Sequence, residues 1–295
     1  MAGLRLAVII NPNANRGRTA ALVDDIRLHL RAVGCEPEIL ATQAQGDATR
    51  LAQRCVADGT WDGIVAAGGD GTINEVVNGM WQSDIPLSFI PLGTGNDFVK
   101  MLDLKPNAIA ASVQRIVKGT IRSIDVGTAN ERAFVNGVGM GIDAQMAIAA
   151  QDIKHLSGIA VYIAALFKVM RQFKAPHVRV MTDDAIYEGK KIMVTIGNGT
   201  CHGGGFQVTP DAQIDDGVFD ICLSEDVGTL KILQIFPKVI AGKHTNLPTV
   251  IMGKTRSMRL TCEQGIPAHV DGEILGAKLH DITITLHPAA MKIRC

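Results

Sequence analysis

The sequence predicts an α/β protein in two parts, an N-terminal parallel-sheet βαβ domain and a C-terminal, mainly antiparallel β-sandwich domain. Continuous apolar runs alternate with helix-period segments through the first part. Beyond Gly127 helical stretches thin out, and short strands alternating at period two take over. The 295 residues suffice for two cored domains, placed at 1–126 and 127–286, with the extreme C-terminus, about 287–295, packing back on the first.

The elements follow in order. Residues 6–10 (Leu-Ala-Val-Ile-Ile) form a continuous apolar run, as in a strand buried on both faces. A polar loop, 11–18, follows. Residues 19–33 place Leu22, Ile26, Leu30 and Val33 at helical spacing, and Gly34 stops that helix. Strand 38–42, helix 47–57, strand 63–67, a helix through Val76, Val77 and Met80, and strand 87–92 complete the series. Such βαβ repeats imply right-handed crossovers. In the second part strands are expected at 134–138, 178–182, 192–197, 218–223, 256–262 and 282–286. Further helices are expected at 107–118, 159–173 and 230–241.

Lys plus Arg and Asp plus Glu number 29 each, so the formal net charge is zero. No electrostatic footprint for nucleic acid follows, and no polybasic membrane anchor. None of the six cysteines stands at Cys-x-x-Cys spacing, so reduced, mostly buried thiols are expected. The first apolar run meets Asn11-Pro12 too soon to be a signal-peptide core. The best candidate for a membrane span, 155–167, falls short of the roughly 20 residues a crossing needs. The chain is expected to be soluble and cytoplasmic, with a peripheral place on the inner face of the membrane open to it.

Chemistry concentrates in two glycine turns. Gly68-Gly69-Asp70-Gly71-Thr72 ends a strand and starts a helix, which is where open α/β sheets bind ligands. Glycines let a backbone approach phosphate, the helix N-terminus offers amides, and Asp70 adds a carboxylate suited to magnesium. Pro91-Leu92-Gly93-Thr94-Gly95-Asn96-Asp97-Phe98 repeats the arrangement after the next strand. Two such turns at one sheet edge would converge on one site. Neither ends in Gly-Lys-Ser/Thr, and no Gly-x-Gly-x-x-Gly follows the first strand. Composition and spacing give a nucleotide or phosphate site with magnesium, and no more.

The pair GGDGTINE (68–75) and PLGTGNDF (91–98) resembles the diacylglycerol kinase catalytic domain. That family includes sphingosine and ceramide kinases and the bacterial YegS- and BmrU-type lipid kinases. The likeness covers essentially the whole chain, and the length with the early Asn11-Pro12 resembles the bacterial members. It implies an NAD kinase- and phosphofructokinase-like nucleotide domain. It further implies transfer of the γ-phosphate of ATP to a lipid hydroxyl, diacylglycerol before others, giving phosphatidic acid.

Carried over residue by residue, the resemblance implies that Gly68, Gly69, Asp70, Gly71, Thr72, Ile73 and Asn74, with Thr42 and Thr94, bind the nucleotide, Asp70 standing beside Mg2+. It implies a structural Mg2+ in the turn 209–218, held by the Asp216 side chain and the Gln213 and Val218 carbonyls. Glu273, in Val270-Asp271-Gly272-Glu273, matches the proton acceptor. Without the resemblance, the first of these is a hairpin turn and the second a solvated turn. The implied partners are ATP, a lipid with a free hydroxyl and, transiently, a membrane surface; nucleic acid is excluded and a homodimer is left open. The apolar segment 155–173 reads as an acyl-channel wall, a membrane-touching face or a core helix. Two rivals remain. An NAD kinase-like phosphotransferase for a soluble nucleotide is disfavoured by the second turn. A non-catalytic lipid- or nucleotide-binding regulator is disfavoured by the intact Asp70 and Glu273.

Overall fold

A computed structural model of the chain describes residues 3–153, 155–156 and 159–295. They divide into two compact units, Met1–Val126 with Ala289–Cys295, and Gly127–Pro288.

In the first unit four strands, β1 (Arg5–Ile10), β2 (Glu36–Ala41), β3 (Gly63–Gly68) and β4 (Leu87–Pro91), pair in parallel in the order β4-β3-β1-β2. β3 and β4 are buried at every residue, which is why their sequences carry no polar alternation. The helices are α1 (Val23–Ala32), α2 (Asp47–Asp58), α3 (Asp70–Met80), α4 (Asp97–Lys100) and α5 (Ile109–Lys118). Ile26 and Leu30 of α1 and Ile109, Val113 and Ile116 of α5 pack on Leu6, Val8 and Ile10. The helix expected over 19–33 divides: a 3-10 stretch, Ala14–Leu22, precedes α1. Asn15 and Gly17 take positive φ there, which an α-helix does not admit.

The chain leaves this unit within β5 (Ile121–Ala129). It returns at Ala289, whose N–H donates to Asp125 Oδ1 at 2.7 Å. Ile293 then pairs with Leu87, and Thr120 and Cys295 exchange backbone hydrogen bonds, so the tail completes the sheet.

The second unit continues with β6 (Arg132–Phe134), β7 (Gly137–Gly141), α6 (Ile142–Gln151), α7 (Ile159–Met170), β8 (His177–Thr182), β9 (Ile186–Gly197), β10 (Phe219–Glu225), α8 (Thr229–Ile240), β11 (Val250–Thr255), β12 (Ser257–Val270) and β13 (Glu273–Arg294). Pairing among β7 to β12 is antiparallel. The long strands β9 and β12 both pair with β8 through their first halves and with β7 near their ends. Their inward residues enclose one apolar core with Phe134, Phe219, Val180, Ile196 and Leu260. Phe134 stacks on Phe219 at 5.4 Å between ring centroids. Both are fully buried, each contributing about 1.5–3 kcal/mol. The expected α/β fold with a β-sandwich second domain is thus observed.

Helix α6 lay in no expected element, and residues 157 and 158 of the expected apolar segment lie outside the described residues. Among the described residues no helix is long and apolar enough to cross a membrane.

Candidate active site: two glycine turns and a carboxylate hairpin

The first unit brings the two glycine turns together at the carboxyl ends of β3 and β4. Leu92 N–H donates to Gly68 O at 2.8 Å. The backbones touch at Gly69 and Gly93: a Cβ added to Gly69 would stand 3.1 Å from the Gly93 Cα, and one on Gly93 would collide with the Gly69 Cα. Only glycine allows that approach. Asn96, fully buried and at φ 52°, closes the second turn on Gly93 twice: Oδ1 accepts its N–H at 3.1 Å, and Nδ2 donates to its carbonyl at 2.6 Å.

Asp70 does something the sequence did not announce. Its Oδ1 accepts the Asp97 N–H at 2.7 Å, so the carboxylate clasps one turn to the other. The carboxylate expected beside magnesium thus also joins the two turns. Asp97 in turn pairs with Lys100 at 2.7 Å.

Gly69 caps α3, and no side chain hydrogen-bonds that cap. The helix therefore presents its first-turn amides at the glycine turn, where an anion is favoured. Thr72, Ile73 and Asn74 are buried, whereas Thr94 is exposed at the tip of the second turn. Thr42, also buried, follows β2 and donates its N–H to Ile10 O at 2.9 Å. The helix after it is anchored by Glu75, whose carboxylate accepts the Gly46 and Ala48 N–H groups at 2.9 and 3.1 Å. The Gln43 and Ala44 N–H groups donate to Asp47 and hold its carboxyl below the usual carboxylate range.

The second unit holds Glu273. Val270 pairs with Glu273 across the two-residue loop Asp271-Gly272, at φ 49° and 85°. Two positive φ values are the geometry of a tight hairpin, for which Asp-Gly is a favoured pair. The turn is more than solvated. Asp271 is buried, and its carboxylate accepts the N–H groups of Val135, Asn136 and Gly137 at 3.1, 3.0 and 2.8 Å. His269 sits at its base, with Nδ1 accepting the Gly272 N–H at 3.3 Å.

Asp216 is tied within and beside the 209–218 turn. Asp216 Oδ1 accepts the Val218 N–H at 3.3 Å, and Oδ2 pairs with Lys254 at 2.8 Å. Lys254 also stands 3.5 Å from the buried Oδ2 of Asp220. Burial pushes Asp220 above the usual carboxylate range, against the lowering by Lys254. Gln213 is exposed. Among the described residues no three His, Cys, Asp or Glu side chains gather to hold a metal ion. His202 is buried, with Nε2 at 3.2 Å from Thr209 Oγ1.

A cavity of about 80 Å³ lies in the second unit among α6, α7, α8 and β9. Met146, Tyr162, Leu166, Phe206, Ile232 and Phe236 line it, and Asp143 and Ser224 are its polar exceptions.

Paired glycine turns over a parallel sheet form a phosphate-binding edge, and the second unit adds an apolar cavity. Residues 5–129 match the diacylglycerol kinase catalytic domain, and residues 136–295 match the YegS C-terminal NAD kinase beta sandwich-like domain. A diacylglycerol kinase of Staphylococcus epidermidis is 34% identical over 93% of this chain and 87% of its own. One of Staphylococcus saprophyticus is 31% identical over 93% and 90%. The crystal structure of a diacylglycerol kinase from Bacillus anthracis str. Sterne superposes with a TM-score of 0.77 at 26% identity, over 100% of this chain and 97% of that one. The chain belongs to the diacylglycerol kinase catalytic-domain family and is a lipid kinase with ATP as phosphoryl donor.

Proposed function

We propose that the kinase phosphorylates diacylglycerol to phosphatidic acid at the surface of a membrane. The observation that carries an apolar acceptor is the cavity lined by Met146, Leu166, Phe206 and Phe236. The choice of diacylglycerol rests on the names of the relatives.

In this reading the ATP phosphates lie against Gly68 to Thr72 and the first amides of α3, with Thr94 and Thr42 contacting the nucleotide. Ile73 and Asn74, in the first turns of α3, complete the nucleotide-binding loop, with their side chains buried beneath it. Asp70 acts by holding the two turns in register. Magnesium bound with ATP would supply charge neutralisation for the departing γ-phosphoryl, and Asp70, at the glycine turn, is the carboxylate that would stand beside it. Glu273 takes the proton of the lipid hydroxyl.

A second cation would fit the Asp216 turn. Asp216 and Asp220 share the ammonium of Lys254, at 2.8 and 3.5 Å, so two carboxylates face one cation there. Asp216 with the Gln213 and Val218 carbonyls would hold the ion, which stabilises the turn and takes no part in the transfer.

Membrane contact is supported by Ile163, Phe167 and Leu230, which are 36%, 56% and 79% exposed on α7 and α8. Lys168, Arg171, Lys174 and Lys231 lie close by in sequence, as suits a peripheral enzyme at the anionic inner face. The same residues could seat a second copy of the chain; light scattering without lipid separates the two cases.

The test is transfer of radiolabelled phosphate from ATP and magnesium into a panel of lipids in mixed micelles, with NAD as soluble control. Label in phosphatidic acid is expected. Label in another lipid, or only in NADP, overturns the assignment of the acceptor.

A further inference from the structure

A buried His-Asp pair stands behind the Glu273 hairpin. His269 Nε2 stands 3.2 Å from Asp143 Oδ2, with the side chains 4% and 12% exposed. The two press on β7: a Cβ at Gly139 would collide with both. Asp143 opens α6 and lines the apolar cavity.

The other ring nitrogen decides the chemistry. Nδ1 of His269 accepts the Gly272 N–H, so it carries no proton. A proton there would set two donors face to face. The single ring proton is on Nε2, toward the carboxylate of Asp143. Gly272 immediately precedes Glu273, so the imidazole fixes the residue from which the Glu273 carboxylate departs.

We propose that His269, whose Nδ1 accepts the Gly272 N–H and whose Nε2 faces the Asp143 carboxylate, is the positioning residue of the kinase reaction: it sets the Asp271-Gly272 turn and thereby aims Glu273. The assignment rests on the reading of Glu273 as proton acceptor. It joins the cavity wall at Asp143 to the hairpin through one ring. His269 touches neither substrate nor phosphate in this role.

The experiment is a double-mutant cycle on the full-length kinase, with ATP affinity and thermal stability measured alongside kcat. His269→Leu should lower kcat by at least about tenfold and leave the ATP Kd within about twofold. His269→Asn, which can offer an oxygen to the Gly272 N–H, should recover most of that loss. In a Glu273→Gln background His269→Leu should cost little more, because both act through one carboxylate. A full second loss in that background overturns the proposal, as does His269→Asn being no better than His269→Leu. Independently, 15N NMR of histidine-labelled wild-type protein should show His269 as the neutral Nε2–H tautomer; an imidazolium or an Nδ1–H tautomer at neutral pH refutes it. If Glu273→Gln alone keeps near-normal turnover, the base reading has failed, and the tautomer still decides whether His269 holds Gly272.

Discussion

Replacing Asp271 with alanine should uncouple the Glu273 hairpin from the strand beside it. One buried carboxylate accepts three backbone N–H groups there, from Val135, Asn136 and Gly137, at 3.1, 3.0 and 2.8 Å. Hydrogen bonds to a charged acceptor contribute about 1.5–3 kcal/mol each, but three that share one carboxylate are not additive. Truncation also leaves three amides on buried residues without their acceptor. A buried donor left without its acceptor costs about 1–3 kcal/mol, and alanine at φ 49° adds about 1–2 kcal/mol more. Asn tolerates that backbone and keeps one acceptor oxygen. Asp271→Asn should therefore lose chiefly the Val135 bond, about 1–3 kcal/mol. Urea unfolding of both variants measures the totals, and hydrogen exchange at 135–137 localises them. An Asp271→Ala protein within about 0.5 kcal/mol of wild type, with unchanged exchange at those amides, would refute the reasoning.

Three further outcomes follow from the same reading. Asp70→Ala removes the clasp on the Asp97 amide and should speed exchange of that amide and raise the ATP Kd by about tenfold or more; a loss of turnover with both unchanged would return Asp70 to a direct metal role. His244 is buried, with Nε2 3.1 Å from the Val208 carbonyl, and burial lowers its pKa. The unfolded chain then binds the proton first, so stability should fall as pH drops below about 6.5 and on toward the folded pKa, and His244→Gln should flatten that slope in thermal melts at a series of pH values. Burial pushes the thiols of Cys55 and Cys222 up to about 11 and about 12, so mass-mapped alkylation of the native protein should reach half-buried Cys201 and Cys295 first and Cys222 last.

What the sequence disclosed, and what it hid, divides by range. The parallel strands were legible because burial on both faces writes an unbroken apolar run, as in residues 6–10. The glycine turns were legible because backbone contact between Gly69 and Gly93 admits no side chain. The Asp70 clasp was hidden, since its acceptor role joins residues 27 apart through one amide. Nothing local marks Asp143 and His269 as neighbours; antiparallel pairing of His269 with Gly139 brings them together. Helix α6 was missed because it starts directly from the glycine-rich strand β7, with Gly141 at φ 89° as its cap and no polar capping residue to announce it. The Lys254 partner of Asp216 was hidden in the same way: it comes from β11, the neighbour of the strand that follows the turn.

The account stands most directly on Glu273. The measurement is kcat for transfer from ATP to diacylglycerol in mixed micelles, beside the ATP Kd by calorimetry, for wild type and Glu273→Gln. With the base removed and the glycine turns intact, kcat should fall by about 10²–10⁴-fold while the Kd stays within about twofold. Near-normal kcat in a folded Glu273→Gln protein would contradict the account, and the proton acceptor would have to be sought elsewhere in the chain.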